Sequence, residues 1–172
     1  MSQRAITSFR FQGIEARILR SADPLAKTEG AELLPALTQL PHLMRIFSRS
    51  AFDHRLDLGA RHLAAAAAYY VLLEHDSHQQ TGKPETDGLL DVLALAMLAA
   101  GELVELAGER AVAEHWKGSG TLNAFLTQNS LLVCRRLPPK VRERMDAYLG
   151  LSQPAADTSG RLRFPFDNES AE

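Results

Sequence analysis

Two long apolar stretches, residues 56–73 and 88–112, flank a polar loop, residues 74–87, that reads EHDSHQQTGKPETD. Two helical segments of this length joined by one loop make an antiparallel αα-hairpin. The five alanines at 64–68 and the almost unbroken Leu, Ala and Val of residues 89–100 leave little polar face. A hairpin of this kind belongs in the middle of a helical core rather than on its surface. The feature constrains architecture far more than it constrains activity.

Composition fits one domain. The chain has 172 residues, 45% hydrophobic and 23% charged, enough for a sizeable core in a single globular unit. A formal net charge of −2 gives no overall drive toward nucleic acid or anionic lipid. The single Cys134 excludes an intramolecular disulfide, and residues 1–13 (MSQRAITSFRFQG) hold no apolar run long enough for a secretory signal. Both facts suit a reducing cytoplasm. The most apolar window, residues 89–107, carries Asp91, Glu102 and Glu105. Each would cost about 2–3 kcal/mol near a bilayer centre, so a transmembrane reading is rejected.

Residues 1–20 read as an extended segment. Phe9 and Phe11, then Ile14, Ala16 and Ile18, alternate with polar neighbours on either side of Gly13, the period-2 pattern of a β-hairpin. Helices follow from residue 22. Asp23 and Pro24 offer a cap and a first turn, and Gly30 weakens or breaks the helix they open. Pro41 opens the next, with Leu43, Met44, Phe47, Ala51 and Phe52 as one apolar stripe. Asp87 caps the second arm of the hairpin, Gly118-Ser119-Gly120 ends it, Thr121 caps a fifth helix through Cys134, and Pro138-Pro139 opens a sixth that ends near Gly150. Residues 151–172 turn to Pro, Ala, Asp, Ser and Gly, the composition of a flexible tail. Within it Leu162, Phe164 and Phe166 alternate as an extended docking motif that would add to the edge of the N-terminal strands. The expected fold is therefore mainly α: a single-domain bundle of about six helices over residues 22–150, with a central αα-hairpin and short extended elements at the termini.

Candidate chemistry concentrates at one place. The pair His75-Asp76, closing the apolar run Val71-Leu72-Leu73-Glu74, resembles the metal-binding dyad of HD-type phosphohydrolases. The resemblance implies a divalent metal held by His75 and Asp76, with His42 or His54 as the preceding His and Asp146 as the downstream Asp; such a metal activates water. The loop continues through Gln79-Gln80-Thr81, where that family turns at once. Without a metal, His75 and His78 simply complement a helix C-terminus. A second resemblance covers residues 64–95. The Ala-rich run ending in Tyr69-Tyr70, a polar loop, and Gly88-Leu89-Leu90-Asp91 look like the YkvA-like bacterial family, small helical proteins of unassigned function. The single Asp91 stands where that family usually has two. This resemblance implies a fold and no activity.

Other constellations read as structure. Glu102, Glu105 and Glu109 share a helical face, yet no Glu-x-x-His occurs in the chain, so the ligand spacing of a di-iron bundle is missing. Lys117-Gly118-Ser119-Gly120-Thr121 lacks the phosphate-loop spacing and reads as an interhelical turn. Cys134 has no base paired with it in the sequence and reads as packing. Charge is uneven: residues 74–109 hold eight acids and one Lys, and residues 135–144 five bases and one acid. Such a distribution makes either a dipole that orients self-association or an interleaved set of ion pairs. The basic segment has no interleaved aromatic residue, which disfavours nucleic acid. The leading expectation is a non-enzymatic interaction, adaptor or regulatory protein of a bacterial cytoplasm, self-associating, with no cofactor and no membrane partner. The alternative is the metal-dependent phosphohydrolase centred on His75 and Asp76.

Overall fold

The helix over Leu89–Ala107, labelled α4 below, is apolar and buried on every side from Val92 to Gly101, and a helical stretch with no wet face must be surrounded. The computed structural model describes residues 3–81, 88–137 and 139–149, the side chains of residues 3–12, 74–81 and 134 excepted. Within these it contains seven α-helices: α1 (Gln3–Glu29), α2 (Leu34–Ser50), α3 (Leu58–Thr81), α4 (Leu89–Ala107), α5 (Glu109–Ala113), α6 (Leu122–Cys134) and α7 (Pro139–Tyr148). A single 3-10 turn, Ala31–Leu33, joins α1 to α2. Helix α4 packs against α2, α3, α5 and α6, and α2 packs in turn against α1 and α3. Leu93, Ala94, Leu95, Ala96, Ala99 and Leu103 are all fully buried.

The hairpin is present, with altered ends. Helix α3 starts at Leu58, where the Asp57 carboxylate accepts from the Ala60 amide at 2.7 Å, a side-chain cap that fixes the entry. It continues past the apolar run to Thr81, so much of the segment expected as loop is helical. Residues 82–87, including the expected cap Asp87, lie outside the described residues. Gly88, in left-handed backbone at φ +72°, leads into α4. The second arm does not reach residue 112 as one helix. Gly108 at φ +82° ends α4 and starts the short α5.

The N-terminal β-hairpin expected over residues 1–20 is not formed. Residues 3–29 are one helix, and no strand occurs among the described residues. Ile14 and Ile18 fit alternation over a few residues, but they also stand four apart and continue as Ala22, Leu25 and Ala26, all buried on one helical face. A two-stranded ribbon with no third strand is marginal, whereas a helix saturates its own backbone and lays this face on α2. Asp23 and Pro24 are therefore inside α1, on exposed positions, rather than at its start. Pro41 likewise lies inside α2, whose first turn holds Pro35 instead. The break at Gly30 is as expected: its φ of +128° admits glycine, and a Cβ there would collide with the Glu32 carboxylate and the Arg136 guanidinium.

The stripe on α2 is correct for Leu43, Met44 and Phe47, which are buried, but not for Phe52, which is 76% exposed beyond the helix end at Ser50. The fifth and sixth expected helices match α6 and α7. Thr121 caps α6 through Oγ1, which accepts from the Ala124 amide at 3.2 Å. Trp116, Phe125 and Leu126 close the core on that side, the Trp116 and Phe125 rings lying 5.2 Å apart.

Because Leu93 is fully buried at the centre and Leu90 only partly so, the two should respond differently to truncation. Leu93→Ala is expected to lower the unfolding free energy by about 2–5 kcal/mol through lost burial and cavity formation. Leu90→Ala should cost clearly less. Parallel urea denaturation checks the order, and equal midpoints would contradict the central place of α4.

Candidate functional site

The residues expected to hold a metal are spread over α2, the α2–α3 connection, α3 and, for the downstream Asp146, α7. His75 and Asp76 lie on α3, but their side chains fall outside the described residues. His54 is exposed in the connection between α2 and α3. His42, on α2, packs edge-on against Trp116 at 5.9 Å, and its Nδ1 is buried without a hydrogen-bond partner among the described residues. Burial, and then the Arg45 charge, hold the His42 imidazole below its ordinary pKa. Among the described residues no three His, Cys, Asp or Glu side chains are grouped as a metal ligand set. The triplet Glu102, Glu105 and Glu109 does not share one helix either, since Gly108 separates Glu109 into α5. Leu162, Phe164 and Phe166 lie outside the described residues, and the strand edge they were expected to join is replaced by α1.

One cluster of ionisable groups is hidden by the chain order. The turn after α2 carries Asp53 and Arg55, and the end of α5 carries Glu114 and His115. The Arg55 guanidinium donates from Nε and Nη2 to Asp53, at 3.0 and 2.7 Å, and from Nη2 to Glu114 at 2.9 Å. His115 Nε2 sits 3.3 Å from the second Asp53 oxygen. The Asp53 and His115 side chains are nearly covered, at 10% and 14% exposure, while Arg55 and Glu114 face solvent. The Arg55 hydrogen bonds, its charge and the contact with His115 hold the Asp53 carboxyl far below the usual carboxylate range.

A His-Asp pair invites a hydrolytic reading, which requires a nucleophile on the other side of the imidazole. Ser50, one turn earlier on α2, is the nearest hydroxyl in sequence, but its Oγ is fully buried with no hydrogen-bond partner among the described residues. The imidazole nitrogen that a nucleophile would use is the one turned to Asp53. The cluster is thus a clasp that ties the α2–α3 connection to α5, across more than fifty residues of chain. The loop after α5 is held in the same manner. Gln39 Oε1 accepts from the Ser119 amide at 3.1 Å, and Trp116 Nε1 donates to the Gly120 carbonyl at 3.0 Å. A Cβ on Gly118 would strike the Trp116 ring and the Gln39 carboxamide. The segment 117–121 is an interhelical turn, as its spacing implied, with its Ser119 amide already taken.

What remains uncommitted is a surface. On α3 the outward positions are Leu58, His62, Ala65, Tyr69 and Leu73, all exposed. Leu58 is 61%, Tyr69 57% and Leu73 44% exposed. At 100° per residue these five positions fall within an arc of about 80°, so they form one stripe. Tyr148 of α7 borders it, donating from its hydroxyl to the Ala66 carbonyl at 3.1 Å with its ring 5.3 Å from Tyr70. Partial burial, and the nearby Tyr69, raise the Tyr148 phenol above its ordinary pKa. By contrast the cleft lined by Ile14, Arg17, Ile18, Val71, Leu89 and Val92 holds only about 10 Å³, the room of roughly one water, and offers no ligand pocket. The α3 stripe was open to sequence reading. The helical spacing of 58, 62, 65, 69 and 73 carries it, but the alanine run drew attention to the inner face.

The depressed Asp53 carboxyl makes the clasp acid-sensitive with a definite sign. Its stabilising effect is fully present above the ordinary carboxyl value of 3.8 and is lost as pH falls from there toward the lower folded value. Asp53→Asn should therefore lower the melting temperature at neutral pH, and the gap to the unsubstituted protein should narrow below about pH 4. Thermal melts of the two proteins between pH 7 and 3 measure this; a gap that is constant with pH would exclude the clasp.

Comparison of the chain with known protein families, with curated proteins and with solved structures finds no match in any of the three. The likeness of residues 64–95 to the YkvA-like family therefore stands on the residues quoted for it alone.

Proposed function

We infer that this chain is a non-enzymatic interaction protein that associates with itself, an adaptor or regulator of a bacterial cytoplasm in which the helical core presents a docking face. One observation carries the reading: the α3 stripe is contiguous, exposed and mainly apolar, with His62 its one imidazole, whereas Asp53, Arg55, Glu114 and His115 satisfy one another. Groups that pair with each other hold a fold together, and an apolar stripe on the outside of a stable helix is a surface for another macromolecule. No helix among the described residues is long and apolar enough to cross a membrane, which accords with a protein rather than a bilayer as the partner. The single Cys134 suits a reducing compartment, and 15 Arg against 4 Lys accords with a GC-rich coding genome.

Two measurements on the purified full-length chain test this. Sedimentation equilibrium across the micromolar range should show a mass that rises with concentration, and metal analysis should show no stoichiometric divalent ion. A constant monomer mass would refute self-association. A bound metal that His75→Ala removes while the helical content stays unchanged, together with metal-dependent hydrolysis of a phosphoester that the same substitution abolishes, would refute the non-enzymatic reading in favour of the phosphohydrolase.

A further inference from the structure

The stripe on α3 has an internal symmetry that its mere exposure does not require. In chain order it reads Leu58, His62, Ala65, Tyr69, Leu73: a leucine at each end, a polar ring next inward, and alanine in the middle. It extends over about 22 Å of helix at 1.5 Å per residue. When a second copy of such a helix is laid antiparallel, with a two-fold axis passing beside Ala65 and Ala66, position 58 faces position 73, 62 faces 69, and 65 faces 66. Large side chains then meet at the two ends, a phenol meets an imidazole on either side of the axis, and small side chains meet where the backbones come nearest. Isologous contacts demand this kind of self-complementarity, and small central residues permit close helix approach. None of the five positions is Asp, Glu, Lys or Arg, so no like-charged carboxylates, ammoniums or guanidiniums meet across the axis.

We propose that α3 is the two-fold contact of a homodimer, with Leu58 packed on Leu73 of the partner subunit, His62 on Tyr69 of the partner subunit, and Ala65 at the axis. This deepens the self-association reading and rests on it. The area sets the strength. Leu58, His62, Ala65, Tyr69, Leu73 and the bordering Tyr148 offer on the order of 450 Å² per copy, so the dimer buries roughly 900 Å² in all, below the 1,200–2,000 Å² of stable complexes. The dimer is accordingly weak and reversible, forming and dissociating in the micromolar range or above. A switchable assembly is what such a small contact provides.

Cysteine cross-linking tests the register. With Cys134→Ser as the background, Ala65→Cys should give an oxidised dimer in high yield, because only residues beside the axis meet their own copies. Leu58→Cys and Leu73→Cys should each stay monomeric when oxidised alone and cross-link when mixed. Ala65→Arg, an exposed helical substitution that leaves the melting temperature in place, should abolish the concentration dependence of the mass. A protein that dimerises with Ala65→Arg present and gives no cross-link at residue 65 keeps the self-association reading and overturns this contact. A protein that is monomeric throughout, with no cross-link, overturns both. If the residue-65 cross-link appears only after truncation following Ala156, the stripe belongs to the chain's own C-terminal segment and the proposal fails.

Discussion

Burial of α4 on every side is the constraint on which the rest of the structure depends. From Val92 to Gly101 the helix offers water nothing polar but its backbone, and leaving even one of the leucines there exposed would forfeit about 1.5–3 kcal/mol. Helices must therefore be supplied around it, and α2, α3, α5 and α6 do so. The surrounding helices inherit their faces from this requirement. Met44 and Phe47 of α2, Ala64 and Ala67 of α3, and Phe125 of α6 are buried because α4 needs cover. The alanines of α3 suit this position well, since short side chains let two helix axes come close without voids.

Polar contacts then decide how the chain turns between the packed elements. The Arg55 clasp with Asp53, Glu114 and His115 fixes the α2–α3 connection to α5. Arg45 pairs bidentately with Glu15, at 2.9 and 3.1 Å, and pins α1 on α2. Arg136 joins Glu32 and donates to the Glu29 carbonyl at 3.0 Å, tying the end of α6 to the break at Gly30. These contacts face solvent on at least one side, where ion pairs contribute modest stability; their effect is geometric. They also resolve part of the charge asymmetry read from the chain. Arg136, in the basic segment 135–144, pairs with Glu32 rather than standing as part of a basic pole.

Helix α3 has two occupations. Its inner face is spent on α2 and α4, and its outer face carries leucine and tyrosine into solvent. A stable scaffold can tolerate such a stripe because the inner face alone anchors the helix. Under the proposed self-association, that division would let a contact on the outside form and break without disturbing the core.

Much of the fold was legible because helical periodicity is a local signal. The hairpin, the Thr121 cap and the break at Gly30 follow from side chains within a few positions of one another, whereas Gly108 was not recognised as a break and the second arm was carried on to residue 112. The N-terminal segment was misread because Ile14 and Ile18 satisfy both periods, and only the presence of α2 beneath them selects the helix. Pro24 and Pro41 were placed at helix starts for a related reason: a proline's local preference is for a first turn, and tertiary packing overrode it. The candidate site divides in the same way. Composition and spacing determined that this chain forms an all-helical core with an apolar centre, and they contained the α3 stripe in plain view. The pairing of Asp53 with His115, the partner of Arg55 at Glu114, and the choice of which α3 face is left to solvent were decided only by tertiary structure, because each depends on which distant segments α4 draws together when it is buried.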